Sequence, residues 1–167
     1  MKITEELLDL AGIGRGRMSL RWVSAAEGQI FANTVKELTE ETEKLGHFDP
    51  SQYTMQLAAV EAVVRGPRMR WLTGMDLHVT EHKNVYNEKT DPELYQKTMK
   101  QALKDEYHKA LILESLKEGP QSVREMAAKT GLPVYTVSLR LNDLEKRGIA
   151  ELKGYDGSTP KFISIAA

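Results

Sequence analysis

The last third of the sequence contains the local signals that most narrow the possible fold. Ser122 precedes the run VREMAAKT, and Glu125 lies three residues after Ser122. This is the spacing of a capping box at the start of a helix. Gly131-Leu132-Pro133 predicts a tight turn. The run VYTVSLRLNDLEKRG then predicts a second helix that ends at Gly148. Two short helices joined by a tight turn are therefore expected here.

The elements around this pair complete a recognisable order. Asp91-Pro92-Glu93 predicts the start of a long helix that continues to Lys117. Two predicted strands, 149–153 and 161–165, flank the turn GYDGSTP after the second short helix. That helix is expected to bury four apolar side chains: Val134, Val137, Leu141 and Leu144. A helix, a helix-turn-helix and a hairpin in this order predict a winged helix-turn-helix domain over 106–167.

The N-terminal part predicts a fragment of an α/β layer. Residues 3–11 favour a short helix, residues 18–23 alternate as a strand, and residues 26–45 form an amphipathic helix ending at Gly46. A strand with only one helix leaves its backbone edges unpaired, so another subunit, a second copy or the connector is expected to complete the sheet. The residues expected at a subunit or dimer boundary are Trp22, Val23 and Phe31.

The middle of the chain is predicted as a helical linker with a loop-rich connector. Ser51 is expected to cap a helix that stops at Gly66-Pro67. The connector follows, with pairing of 68–72 and 75–79 around a turn as the alternative. The predicted domains are thus a strand–helix fragment (1–48), a helical linker (49–105) and the winged helix (106–167). The fold class is α+β and mostly helical.

Several function classes are excluded or disfavoured by the residue types present. The sequence contains no cysteine, so it offers no disulfide and no thiolate for a zinc ion or an iron–sulfur cluster. GIGRGR (12–17) follows a helix and precedes a strand, which is the wrong order for a dinucleotide loop. His78 and His82 lack a third metal ligand at a usable spacing and are predicted to be surface histidines. No catalytic constellation is evident, and no enzyme activity or bound cofactor is expected.

The overall charge and hydropathy predict a cytoplasmic protein without a membrane partner. The formal net charge is −1, which gives no general attraction to nucleic acid or anionic lipid. No apolar run approaches the roughly 20 residues of a membrane span. The first residues also lack the apolar core of a signal peptide.

The sequence of the predicted winged helix is compatible with contact to DNA and with contact to protein. The residues expected on a nucleic-acid surface are Tyr135, Thr136, Ser138, Arg140, Asn142, Lys146 and Arg147 on the second helix, and Lys153 and Lys161 on the hairpin. Arg140 and Asn142 are base-reading types, whereas Lys146 suits phosphate. However, seven lysine and arginine residues face five acids from Pro120 to the end, and this small surplus is weak for counterion release.

The run LRWVSAAEGQIFANTVKELTEETEKLG resembles the C-terminal end of the delta subunit of methyl-viologen-reducing hydrogenase. The matching residues are Trp22, Val23, Ser24, Ala25, Ala26, Glu27, Gly28, Phe31 and Ala32. The resemblance implies association with an electron-transfer complex between a hydrogenase and heterodisulfide reductase. The family's cluster ligands are cysteines, which this chain lacks, so an iron–sulfur cluster or flavin is expected on partner subunits. Residues 49–167 resemble, more weakly, the linker and winged-helix extension of longer members.

Two hypotheses follow from the pattern and the resemblance together. The first is a non-catalytic, cytoplasmic accessory subunit of a hydrogenase or heterodisulfide-reductase-type complex, whose winged helix serves docking or regulation. The second is a homodimeric winged-helix transcription regulator that binds DNA. The partners expected are therefore redox-complex subunits or a second copy of the chain, with DNA as the alternative.

Overall fold

The protein is mostly helical, with one small sheet near its C-terminus. The computed structural model describes residues 2–24, 26–83 and 85–165, and of residues 2 and 76–81 it describes the backbone alone. The chain divides into two compact units, Met1–Thr54 and Met55–Ala167. The predicted class, α+β and mostly helical with a C-terminal winged helix-turn-helix, is confirmed. The finer division at 48 and 105 stays a prediction, and one helix runs through residue 105.

The first unit contains two helices that flank an irregular segment. Helix α1 spans Lys2–Leu10, a 3₁₀ turn spans Arg15–Arg17, and α2 spans Gly28–Leu45. Gly46 ends α2 with a φ of 69°, a conformation that favours glycine. The Arg17 guanidinium donates to the carbonyls of Leu45 and Gly46 at 2.8 and 3.1 Å. This side chain therefore satisfies carbonyl groups that the end of α2 leaves open.

The predicted strand at residues 18–23 does not form, and this expectation was wrong. Met18 has extended backbone angles of −126° and 122°, but residues 18–24 belong to no strand. In the described chain the strands form one two-stranded sheet near the C-terminus, and the segment 18–24 takes no part in it. A strand needs a partner for its backbone groups, and the connector supplies none because it is helical. Helix α2 also begins at Gly28, two residues later than expected.

The prediction of a loop-rich connector after Pro67 was wrong for its first part, because this part is helical as far as Glu81. Asp49 rather than Ser51 is the cap: it begins a 3₁₀ turn, Pro50–Tyr53, that leads into the next helix, and its side chain accepts from the Ser51 backbone N–H at 3.0 Å. Helix α3 spans Thr54–Arg65, and α4 follows directly over Pro67–Glu81. The alternative hairpin around Thr73-Gly74 is therefore wrong. Packing on the next helix explains α4: the Tyr95 hydroxyl donates to the Leu72 carbonyl at 2.8 Å, which adds tertiary support to a sequence of weak helix propensity.

The winged helix follows the predicted element order. Asp91 caps α5 (Pro92–Leu116) by accepting from the Glu93 N–H at 3.0 Å. Helices α6 (Val123–Thr130) and α7 (Val134–Lys146) are joined at Gly131, which is left-handed. Strands β1 (Ala150–Asp156) and β2 (Thr159–Ser164) pair antiparallel, so the strands are longer and the turn tighter than predicted. Gln121 forms an isolated bridge to Phe162 and adds a third backbone segment beside β2.

The core of the winged helix lies between α5, α6, α7 and the start of β1. Ile112, Met126 and Val137 are completely buried, and Leu141 and Leu144 are 2% exposed. The capping box at Ser122 and Glu125 forms as predicted. Val134 is an exception to the predicted inward set, because it is half exposed at the first position of α7. The buried apolar positions of α7 therefore begin at Val137.

Candidate docking and nucleic-acid surfaces

The segment from residue 20 to residue 45 exposes apolar side chains that a folded unit normally covers. Trp22 is 89% exposed and Phe31 is 60% exposed, whereas Val23 is half-buried. No residue of α2 is buried, although its apolar positions follow helical spacing. We call the large exposed apolar residues of this segment the N-terminal apolar surface: Leu20, Trp22, Ile30, Phe31, Val35 and Leu45. Concentrated exposed apolar residues of this kind mark interaction sites.

The polar side of α2 is acidic. Its exposed carboxylates are Glu37, Glu40, Glu41 and Glu43. Arg21 lies 3.4 Å from Glu41, and Lys36 lies 4.0 Å from Glu40. Because these pairs are largely solvated, they add little stability. They do set an acidic border beside the apolar residues.

Most of the predicted nucleic-acid residues lie on the solvent side of α7 and the hairpin. Tyr135 is 77% exposed, and Ser138, Asn142, Lys146, Arg147 and Lys153 are also exposed. Thr136 is half-buried. The helix-turn-helix geometry thus presents one face of α7 for contact, as in proteins that place this helix in the major groove.

Arg140 does not belong to that exposed face. Its side chain is 16% exposed, and its guanidinium lies 2.8 Å from Asp105 of α5 and 3.0 Å from Asp143. Both contacts point it toward the protein rather than toward a ligand. The expectation that Arg140 reads bases is therefore corrected to a role in fixing α7 to α5.

Lys161 is also occupied within the domain. Its Nζ lies 2.6 and 2.7 Å from the two carboxylate oxygens of Glu125, and its side chain is 19% exposed. Glu125 in turn accepts from the Ser122 backbone N–H at 2.7 Å. The lysine therefore joins β2 to the start of α6, and its charge is neutralised where a phosphate contact was expected.

The Glu125–Lys161 pair predicts an acid-sensitive domain. The Lys161 ammonium, followed by the Ser122 hydrogen bonds, lowers the pKa of Glu125 from 4.5 to about 2. Because the folded-state pKa is depressed, this stabilisation is present above about pH 4.5 and is lost as pH falls toward 2. We expect Glu125→Gln, which retains the capping box, to be less stable than wild type at neutral pH. Urea unfolding at a series of pH values measures this difference.

The difference between wild type and Glu125→Gln should shrink toward zero as pH falls from about 4.5 to about 2. Glu151→Gln is the matched control, since it makes the same change at an exposed glutamate of strand β1. A difference that stays constant across this pH range would contradict the assigned role of the carboxylate.

The remaining candidates from the sequence are the two histidines of the connector and the GIGRGR segment (12–17). Among the described residues no cluster of three or more histidine, cysteine, aspartate or glutamate side chains is placed to hold a metal ion. His82 follows α4 directly, and the His78 side chain lies outside the described residues. Arg15 pairs with Asp9, so GIGRGR forms a short connection between α1 and the next segment. None of the described helices combines the length and hydropathy needed to cross a bilayer.

Sequence reasoning missed a network of ion pairs that links three helices. Glu106 of α5 lies 2.7 Å from Arg68 of α4 and 3.1 Å from Lys109. Lys109 lies 4.0 Å from Asp143 of α7, which also pairs with Arg140. The spacing of Glu106 and Lys109 along α5 was a local signal, but their partners on α4 and α7 are brought together only by the tertiary fold.

Two parts of the chain match known families. Residues 1–46 match the family described as methyl-viologen-reducing hydrogenase, delta subunit. This confirms the resemblance seen around Trp22. Residues 108–151 match the family described as bacterial regulatory protein, arsR family. The second match covers the end of α5, both helices of the helix-turn-helix and the start of β1. No solved structure matches the chain.

Proposed function

We propose that this chain is a non-catalytic, cytoplasmic accessory subunit of a hydrogenase or heterodisulfide-reductase-type electron-transfer complex. One observation carries the proposal: the segment that matches the hydrogenase delta subunit is also the segment that exposes Trp22 and Phe31. Exposing these apolar side chains to water has an unfavourable free energy, and a partner subunit that covers them removes this contribution. The cluster or flavin that moves electrons belongs to that partner.

The winged helix serves in this proposal as a docking or regulatory module. Its exposed face carries Tyr135 and Leu139 on α7 and Leu152 and Tyr155 on β1. Aromatic and aliphatic side chains are the residues that dominate protein interfaces. Two of the cations expected on a nucleic-acid surface are instead paired within the domain, which lowers the positive charge available for phosphate.

An anaerobic pull-down tests the proposal. The tagged full chain is used as bait in nuclease-treated native extract, and retained proteins are identified by mass spectrometry. We expect cysteine-rich iron–sulfur or flavin subunits in stoichiometric amounts. Recovery of the bait alone, with a dimeric mass in sedimentation, would contradict the accessory-subunit proposal and favour self-association.

A second candidate function is a homodimeric DNA-binding transcription regulator. It is favoured by the match of residues 108–151 to the arsR-type regulatory family. The exposed residues that suit DNA are Asn142, which can pair with adenine, and Lys146 and Arg147, which suit phosphates. In this alternative the N-terminal unit provides a dimer contact, and the symmetry of the dimer sets the spacing of the two half-sites.

If DNA is the partner, Lys146→Ala should weaken binding to all sequences equally. Removing one phosphate contact lowers the slope of log K against log salt by about 1. Fluorescence anisotropy with a labelled duplex at several salt concentrations measures this slope. Lys104→Ala on α5, an exposed lysine outside the presented face, is the matched control. Absence of any salt-dependent binding at low ionic strength would exclude the regulator.

A further inference from the structure

A cleft of about 310 Å³ lies in the second unit where α3 meets α4, beside α5 and the end of α7. We call it the α4–α5 cleft. Its apolar lining is formed by Val63, Met69, Ala110, Leu113, Leu144 and Ile149. This volume is at the lower end of the range for small-molecule sites, and such sites combine apolar walls with a few fixed polar groups. The cleft thus suits a small, largely apolar ligand.

Lys109 supplies an unusual polar group to this apolar wall. Its side chain is only 6% exposed. An ammonium group has three donors, but in the described chain its one hydrogen bond goes to Glu106 at 3.1 Å. Asp143, at 4.0 Å, lies beyond hydrogen-bonding distance. A buried ammonium is stable only when its donors are satisfied, so Lys109 has capacity for a further acceptor.

The other charged groups around the cleft are already paired, which leaves the Lys109 ammonium as the donor that a ligand can use. Glu106 is already held by two cations, because Arg68 donates to the same carboxylate oxygen at 2.7 Å. Lys117 at the rim pairs with Glu114 at 2.7 Å. The lining therefore contains three cations (Arg68, Lys109, Lys117) and two carboxylates (Glu106, Glu114). Asp143 lies 4.0 Å from the Lys109 Nζ and offsets the remaining positive charge, but it pairs with Arg140 and accepts no hydrogen bond from Lys109. A ligand carboxylate that reaches the Lys109 Nζ would accept this hydrogen bond.

We propose that the α4–α5 cleft binds a small carboxylic acid with an apolar body, whose carboxylate accepts a hydrogen bond from Lys109. The apolar body lies against Val63, Leu113 and Leu144. Leu144 belongs to the last turn of α7 and Ile149 precedes β1, so the ligand contacts the winged helix and the α3–α4 pair at once. Its occupancy stabilises this one arrangement of the two parts. This site is independent of the N-terminal apolar surface.

Octanoate is the probe, and octanol is its uncharged counterpart. Titration of the full chain is followed by calorimetry and by backbone amide chemical shifts. We expect saturable octanoate binding with shifts at the lining residues, and at least about tenfold weaker binding of octanol, because its hydroxyl accepts a hydrogen bond but carries no negative charge to attract the ammonium. Lys109→Met should weaken octanoate binding about tenfold or more and weaken octanol binding much less. Lys104→Met, an exposed lysine of the same helix, should bind octanoate like wild type.

Ala62→Trp provides a test that does not alter the buried charges. Ala62 is exposed but lines the cleft, so a larger side chain fills the cleft without disturbing the core. We expect this variant to keep the wild-type unfolding curve and to lose octanoate binding. Equal affinity for octanoate and octanol, shifts located away from the cleft, or full binding by Ala62→Trp would each overturn the proposal.

Discussion

Replacing Trp22 by alanine is expected to raise the dissociation constant of the partner complex about thirtyfold or more. Trp22 is 89% exposed, and an exposed tryptophan in an interaction segment is a frequent hot spot. Truncation of such residues costs about 2 kcal/mol or more, and each 1.4 kcal/mol corresponds to tenfold in affinity. The measurement uses the partner subunit recovered in the pull-down, immobilised and titrated with wild-type and variant chains under anaerobic conditions.

Trp71→Ala is the matched control for this experiment. Trp71 lies on α4 in the second unit and is also well exposed, at 63%. The two variants lose the same side chain, so general effects of removing an exposed tryptophan cancel. Both should retain the wild-type circular dichroism spectrum. If Trp22→Ala holds the partner as tightly as Trp71→Ala does, the N-terminal apolar surface is not the docking site.

Ile112→Ala should destabilise the winged helix by about 4 kcal/mol, because it removes three buried carbons and leaves a cavity. Ile112 is completely buried on α5 and packs with Met126, Val137 and Leu141 in one core. Such a loss is a large share of the stability of a small domain. Urea unfolding followed by far-ultraviolet circular dichroism measures the change, and an unchanged denaturant slope shows that the unfolded state is not altered.

Ile30→Ala separates this effect from the general cost of truncating isoleucine. Ile30 lies on α2 and is half exposed, so its replacement should change the unfolding free energy by less than about 0.5 kcal/mol. A comparable loss in the two variants would mean that the core does not centre on Ile112. Ile30→Ala is expected to affect docking rather than folding, because Ile30 belongs to the N-terminal apolar surface.

The winged helix could be predicted from the sequence because its signals are local. The capping box at Ser122, the left-handed Gly131 and the stop at Gly148 each act within a few residues. The sequence of helix α4 contains no such local signal. Gly74 and the β-branched Thr73 and Val79 lower its propensity, and its support comes from α5 through Tyr95 and Glu106.

The prediction of an N-terminal strand was wrong because a strand depends on more than local signals. Alternation over residues 18–23 predicts a half-buried extended segment, but a strand also requires a second backbone. The described chain provides no such partner, so residues 18–23 form no strand. For the candidate surfaces, too, the sequence predicts what depends on local spacing but not what depends on tertiary contacts. The exposure of Tyr135 and Lys146 follows from helical spacing, whereas the pairing of Arg140 with Asp105 depends on how α5 crosses α7.

The carboxylate of Glu125 belongs to two elements at once, because it caps the first turn of α6 and holds Lys161 of β2. The bridge between Gln121 and Phe162 lies beside it. Fraying of a helix end and opening of a hairpin are ordinarily separate local fluctuations. Here either one breaks a contact of the Glu125 carboxylate, so we expect the wing and the start of α6 to open together. Amide protons at these two places should then exchange with solvent through a shared opening event, which hydrogen exchange measures.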